Sequence, residues 1–319
     1  MCLFTNFNMT RVLVTGGAGY LGSILCERLL DAGCRVTALD NLMYGQHTLF
    51  HLCANPRFSF VFGDARDESL IRTQITSADI IIPLAAIVGA PACDRDPLSA
   101  ESVNLGAIRL VNRLRSPNQL VVFPTTNSGY GTKGGETYCT EETPLEPISL
   151  YGRIKACAEA EVLACDGTIA LRLATVFGMS PRMRLDLLVN HFVYAAVMDK
   201  YLVLFEEHFK RNYVHIRDVA DCFHHAIANA DAMMGRTYNV GLDDANLSKG
   251  ELARTIQCHV PELVVHSAPI GSDPDKRNYI VSNQRLRDAG FVASRTLDEG
   301  IVELLKGYAA MGRRPHHNG

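Results

Sequence analysis

A short apolar strand that runs straight into three spaced glycines, and from them into a helix, limits this chain more than any other stretch. Arg11-Val12-Leu13-Val14-Thr15 is β-branched and apolar, as a strand buried on both faces must be. Gly16, Gly19 and Gly22 follow, then Ile24, Leu25, Leu29 and Leu30 at helical spacing, with Gly33 closing the helix. The first glycine makes a tight turn, the second lets backbone approach a pyrophosphate, and the third lets helix and strand pack closely. The helix start offers free N–H groups and a partial positive charge to phosphates. Strand before and helix after are the context in which such glycines bind a dinucleotide, and they put Tyr20 and Leu21 at the same place. A second strand, residues 35–39, ends in Asp40, with Asn41 beside it. A carboxylate there accepts hydrogen bonds from adenosine ribose hydroxyls and repels a 2′-phosphate, so NAD is expected rather than NADP. The plainer alternative for Asp40 is a loop carboxylate that caps a turn.

The 319 residues allow one large or two smaller domains, and 47% apolar with 20% charged residues is ordinary for a globular protein. A net charge of −3 without a Lys/Arg block argues against a nucleic-acid surface. No apolar run is long enough to span a membrane. The first eight residues lack the basic start and long apolar core of a signal peptide, and Met9 is an alternative start. Ten cysteines without a C-x-x-C pair fit reduced, mostly packed thiols and a cytoplasmic protein. Cys26, Cys157 and Cys222 fall in helical patterns and are expected in the core. No metal site is expected, and the tail 313–319, His316 and His317 included, is expected to be disordered.

Residues 58–62 form a third strand leading to Gly63-Asp64-Ala65. Asp64 either meets the adenine amino group or caps the helix that begins near Asp67. Residues 79–84 form a central apolar strand, and Leu84, Ala85, Ala86 and Val88 follow at its carboxyl end, where an open α/β sheet binds ligands. A helix is expected over 99–114, with Asn104 ambiguous. A fifth strand, 120–124, delivers Thr125-Thr126-Asn127-Ser128-Gly129-Tyr130-Gly131 to the same edge. Here a hydroxyl can bond a substrate oxygen, although turn chemistry alone explains such residues. After Pro144 and Pro147 a helix carries Tyr151 and Lys155, one turn apart on one face. A free phenol titrates near ~10. An ammonium at roughly 4 Å and an effective dielectric of about 20 attracts a phenolate by ~4 kcal/mol. At ~1.4 kcal/mol per pKa unit, two or three units of lowering are available before desolvation. Such a pair can take a proton from an alcohol as hydride leaves the same carbon.

Together these residues resemble the extended short-chain dehydrogenase/reductase family, the nucleotide-sugar epimerases and dehydratases. The resemblance rests on Gly16-x-x-Gly19-x-x-Gly22, Asp40, Gly63-Asp64, Leu84-Ala85-Ala86, the Thr126 turn ending Tyr130-Gly131, Tyr151-x-x-x-Lys155 and the Arg211–Val219 stretch. It covers residues from about 10 to about 305. It implies a Rossmann-type doubly wound parallel sheet, with an NAD-binding domain at 1–175 that regains a segment near 213–230. A smaller, mixed α/β substrate domain at 176–312 would hold a nucleotide-diphosphate sugar. Tyr151 is implied to be the acid/base. Lys155 would hold the nicotinamide ribose and lower the phenol's pKa, and Thr126 would bind the reacting hydroxyl. The helices at 99–114 and 151–165 resemble the pair through which members form homodimers.

Two departures bear on the reaction. Members that eliminate water from C5/C6 carry Asp-Glu after the Thr; Asn127 and Ser128 stand here and cannot act as a carboxyl pair, which disfavours a 4,6-dehydratase. Sugar epimerases usually show Asn after the sixth strand, where this chain has Thr175. Thr126–Gly131, Arg172–Gly178, Ser180–Asn190, Leu204–His208 and Asp273–Arg277 are similar to the GDP-heptose C4-dehydrogenases of bacterial capsule synthesis. That subgroup implies oxidation of the C4 hydroxyl to a ketone by NAD; the alternative is a 4-epimerase working through a transient 4-keto sugar. Arg182, Arg184, Arg211 and Arg277 offer planar forks for phosphate oxygens, and Asn190 is a candidate for the substrate phosphates or ribose. A non-catalytic NAD-binding scaffold is the competing reading, and intact Tyr151, Lys155 and Thr126 argue against it.

Overall fold

The computed structural model describes residues 9–45, 47–133, 137–268 and 277–312. The first eight residues, Asp273 to Lys276 and the tail from Arg313 lie outside the described residues. The chain opens with β1 (Arg11–Thr15), α1 (Tyr20–Asp31), β2 (Arg35–Asp40), β3 (Phe58–Phe62), α2 (Glu68–Thr76) and β4 (Ile80–Pro83). Next come α3 (Ala90–Arg95), α4 (Pro97–Glu101) and α5 (Ala107–Leu114), the last two joined by a π-helical turn at Ser102–Gly106. Then follow β5 (Leu120–Thr126), β6 (Tyr138–Cys139), α6 (Leu150–Leu163), β7 (Thr168–Leu173), β8 (Thr175–Phe177), α7 (Leu188–Met198), β9 (Tyr201–Leu204), β10 (Lys210–His215) and α8 (Ile216–Ala228). The chain finishes through α9 (Ala230–Met233), β11 (Arg236–Val240), β12 (Asn246–Ser248), α10 (Lys249–His259), β13 (Val264–Ser267), β14 (Ile280–Val281), α11 (Gln284–Asp288) and α12 (Leu297–Met311).

Seven strands form one parallel sheet in the order β11-β7-β5-β4-β1-β2-β3. Alternate side chains feed two cores. Val12, Val14, Ile80, Ile82 and Val122 pack on the face covered by α1 and α8, and Leu13, Ile81, Val121 and Phe123 on the face covered by α2, α5 and α6. That division is why these strands read as unbroken apolar runs. Strand order reverses between β1 and β4, which opens a crevice at their carboxyl ends. There the Leu84 N–H donates to the Thr15 carbonyl at 2.9 Å. Smaller sheets, β12-β10-β8, β13-β9 and β14-β6, make up the rest.

Several expectations change. Residues 284–311 hold two helices and not one: Gly290 takes φ +90° after α11, and a Thr296/Glu299 capping box starts α12. α7 begins at Leu188, and Arg184 and Asp186 pair in the loop before it. Cys26 and Cys222 are buried as expected, but Cys157 is exposed on α6. The return into the large sheet extends beyond residue 230, since β11 pairs with β7 from Arg236 to Val240. One apolar core also runs from α1 and α8 into α7, α10 and α12 without a break.

Candidate active site

At the carboxyl end of β1, Gly16 adopts φ +73° and its Cα lies against the Ala85 backbone; a Cβ there would sit 2.6 Å from the Ala85 nitrogen. At Gly22 a Cβ would strike the carbonyls of Gly16 and Gly17. The first and third glycines thus close the turn and seat α1 on the sheet. Gly19 is the N-cap of α1 and brings no side-chain cap, so the first-turn N–H groups stay available to an anion. Asp40 caps its own turn. Its Oδ2 accepts from the Ala18 N–H (2.9 Å) and its Oδ1 from the Leu42 N–H (2.8 Å), which holds the glycine turn and leaves lone pairs for ribose hydroxyls. Asp64 does not cap the next helix. Asp67 does, accepting from Ser69 N and Leu70 N, while Asp64 pairs with Arg66 and meets the Asn41 side chain. Ala65 is buried beneath this corner.

The Tyr20 and Asn190 side chains bond to protein. The Tyr20 phenol donates to the Gly178 carbonyl (2.7 Å), away from the nucleotide turn, leaving only its backbone there. The Asn190 amide donates to Tyr20 Oη (3.1 Å) and the Arg184 carbonyl (3.0 Å) and accepts from Gly178 N (3.0 Å). With both donors spent on protein, Asn190 braces the lobe junction and does not reach substrate phosphates. Leu21 and Leu84 pack at the edge of the core, Ala86 and Val88 line the half-buried segment after β4, and Thr175 starts β8 opposite Tyr213. Asn104, ambiguous in sequence, pins that segment: its Oδ1 accepts from the Ile87 N–H and its Nδ2 donates to the Ile87 carbonyl, both at 2.8 Å.

Thr126, Ser128, Tyr151 and Arg277 share one neighbourhood. Thr126 Oγ1 donates to Ser128 Oγ (2.9 Å) and accepts from the Ser128 N–H (3.1 Å). Arg277 Nη1 donates to the same Ser128 Oγ. Ser128 is buried, and α6 starts against its carbonyl, which lies 3.4 Å from where a Gly152 Cβ would be. Asn127 is 1% exposed, and neither side-chain atom has a hydrogen-bond partner among the described residues. Such an amide calls for a ligand or water.

Burial moves Tyr151 and Lys155 against the tuning that their spacing suggests. Burial pushes the Tyr151 phenol up to about 12, and the cations opposing that rise are Arg184 and Arg277. Lys155 is buried with Nζ 4.0 Å from the Phe123 ring centroid, and it makes no hydrogen bond among the described residues. Burial pulls its ammonium down to about 7, opposed only by Glu159. Glu159 cannot neutralise it fully, because Arg172 takes that carboxylate with bonds of 2.6–3.1 Å. The buried Arg172–Glu159 pair was not anticipated, although Lys155 and Glu159 one turn apart with Arg172 on the adjoining strand was a readable signal. Arg184 pairs with Asp186 and lies beside Gly89. Arg211 is buried near the Tyr279 ring. Arg182 is stacked at 4.0 Å on Tyr44 in the loop after β2. The donors of the glycine turn, the Asp40 carboxylate and the Lys155 ammonium without an acceptor all fit a bound NAD. Among the described residues no cluster of metal-ligating side chains occurs, and no helix is long and apolar enough to cross a membrane.

Residues 12–241 match the NAD dependent epimerase/dehydratase family. A UDP-glucose 4-epimerase of Mycolicibacterium smegmatis is 30% identical over 317 residues, covering 93% of this chain and 97% of its own. Among solved structures, the dTDP-glucose 4,6-dehydratase of Bacillus anthracis in complex with NAD superposes with a TM-score of 0.82 at 22% identity, covering 94% of this chain and 97% of that one. The UDP-glucuronic acid 4-epimerase of Bacillus cereus, in complex with UDP-glucuronic acid and NAD, gives 0.82 at 21% identity, covering 95% of this chain and all of that one.

Proposed function

The chain belongs to the NAD dependent epimerase/dehydratase family, and we propose that within it this protein is a nucleotide-sugar 4-epimerase. The observation that carries the reading is the Thr126–Ser128–Arg277 cluster beside Tyr151. It has the hydroxyl and phenol that oxidation of a C4 alcohol needs, and Asn127 and Ser128 in place of the carboxyl pair that elimination needs. The relative that is 30% identical over nearly the whole chain is a UDP-glucose 4-epimerase, which favours epimerisation and a UDP-sugar over the GDP-heptose expected from the sequence. NAD supplies hydride exchange at C4.

Gly16, Gly19, Asp40 and the Asn41–Asp64 corner hold the adenosine end, and Lys155 meets the nicotinamide ribose. Arg184 and Arg277 already oppose the burial that holds the phenol up at about 12, and a cationic nicotinamide ring bound beside it would lower it further. Tyr151 takes the C4 hydroxyl proton and returns it after the sugar has turned its other face. Thr126 holds the C4 oxygen, with its direction fixed by Ser128. Arg277 and Arg211 bind the substrate diphosphate, and Val88, Asn127, Ser128 and Thr175 line the sugar site. We place the protein in the cytoplasm, on its unpaired cysteine spacing, and as a homodimer through α4–α5 and α6. Release of the 4-keto sugar, a C4 dehydrogenase, is the second reading. Thr175 supports it, because sugar epimerases usually place Asn at that position.

Purified protein incubated separately with UDP-glucose, UDP-galactose and a GDP-heptose, followed by NMR of the product sugar, tests both. The expected product is the C4 epimer of a UDP-sugar with no net NADH. Accumulation of a 4-keto sugar with stoichiometric NADH moves the assignment to dehydrogenase, and no turnover on any of them favours the scaffold.

A further inference from the structure

We propose that Arg182 belongs to the cofactor side of the cleft, where its guanidinium, backed by the Tyr44 ring, clamps the diphosphate of the dinucleotide over the first turn of α1. The inference rests on the NAD-binding reading above and adds a residue that no glycine or carboxylate motif contains. Arg182 is 4% exposed, and its Nε is buried without a hydrogen-bond partner among the described residues. The neighbouring arginines differ in this respect: Arg184 has Asp186, and Arg277 has Ser128. A buried guanidinium without an acceptor is costly unless an anion completes it.

Three contacts fix where this cation lies. Its Cζ stands 4.0 Å from the centroid of Tyr44, four residues beyond Asp40. The Arg182 backbone N–H donates to Ser180 Oγ at 3.3 Å, and Ser180 Oγ donates to the Tyr20 carbonyl at 2.7 Å and meets Ser23 Oγ at 3.0 Å. Residues 180–182 are therefore stitched to the first turn of α1, the helix whose N-terminus lacks a side-chain cap. Asp186 and, less strongly, Asp40 are close enough to act on the guanidinium's charge, though neither bonds to it. Burial first, and then the like charge of Arg184, hold the Arg182 pKa below its ordinary value, so a dianionic diphosphate is the partner that relieves both. The planar fork suits two phosphate oxygens, and the aromatic face keeps it flat and oriented. Being donor-only, it adds nothing that Asp40 already offers the ribose. The substrate diphosphate has its own cations, Arg211 and Arg277, near Tyr279 and Ser128.

Dissociation constants of NAD, ADP-ribose, adenosine, UDP and GDP, measured by calorimetry on the parent and on Arg182→Ala, Arg182→Lys, Tyr44→Ala and Tyr44→Phe, test the assignment. Arg182→Ala is expected to weaken NAD and ADP-ribose by about 10- to 100-fold, the loss of charge-assisted hydrogen bonds. Adenosine and the better-bound of UDP and GDP should stay within about twofold of the parent on the same criterion. Arg182→Lys keeps the charge without the fork and should fall between. Tyr44→Phe should match the parent, whereas Tyr44→Ala should lose part of the NAD affinity. Retained UDP or GDP binding shows that a weakened variant is folded. Unchanged NAD affinity in Arg182→Ala, or a loss confined to UDP and GDP, overturns the clamp while leaving the proposed function standing. Failure of the parent itself to bind NAD overturns both.

Discussion

Tyr151 and Lys155 lie one turn apart, yet burial drives their pKa values apart, the phenol up to about 12 and the ammonium down to about 7. Replacing Tyr151 by Phe removes the proton acceptor and is expected to lower kcat by about 10²–10⁴-fold with NAD affinity retained. Lys155 has a stability signature of its own. Its folded pKa lies below the unfolded value of 10.5, so between about 7 and 10.5 the unfolded chain binds the extra proton and stability rises with pH; below about 7 the full cost is present. Lys155→Met should therefore melt higher than the parent at pH 7, by roughly 2–4 °C per kcal/mol relieved, with the gap narrowing toward pH 10. A gap that stays constant across that range refutes the buried-ammonium account. Ser128→Ala leaves Thr126 Oγ1 and Arg277 without their shared acceptor. The expected outcome is a fall in kcat of about 10-fold or more, partly restored by Ser128→Thr, with thermal stability nearly unchanged.

The strand–turn–helix of β1 and α1 works because three atoms are missing from it. Gly22→Ala drives a methyl into the carbonyls of Gly16 and Gly17, and the whole turn must move. A destabilisation of about 1–3 kcal/mol is expected in chemical unfolding, with NAD binding hit harder than stability because the displaced backbone is the phosphate cradle. Asn104 plays a matching part on the other wall of the crevice. It satisfies both backbone groups of Ile87 from the π-helical turn between α4 and α5, where the extra backbone residue presents the amide. Asn104→Ala should loosen residues 84–89, which faster amide exchange at Ile87 would register.

At the scale of the whole molecule, the lobes are joined by packing and by crossing chain segments. The core under α1 and α8 continues into α7, α10 and α12, and β11 completes the large sheet from beyond residue 230. A fragment ending at residue 175 lacks α8, β11 and half of that core, and it is expected to show no cooperative thermal transition. The ion pairs from Arg28 to Asp221 and from Arg295 to Asp218 and Asp221 tie α1, α8 and the segment before α12 together. The proposed homodimer belongs at this scale too, and sedimentation at twice the monomer mass at micromolar concentration is the expected result.

Local chemistry settled much of this protein in the sequence. Apolar runs bounded by glycines specify buried parallel strands, and Gly16, Gly22 and Asp40 occupy positions that backbone geometry alone demands, so the sheet and its nucleotide turn were readable. What depends on distant partners was not. Asn190 looked like a phosphate ligand until its amide was spent on Tyr20, Gly178 and Arg184. Arg182 looked like Arg184's twin until Tyr44 took its guanidinium face and Asp186 paired with Arg184 by hydrogen bond. Tyr151 and Lys155 have the spacing of a tuned pair, but solvent exclusion by the surrounding core, which no spacing encodes, sets their charges. Periodicity records which face of an element is buried; only the folded chain decides which donors still have an acceptor to find.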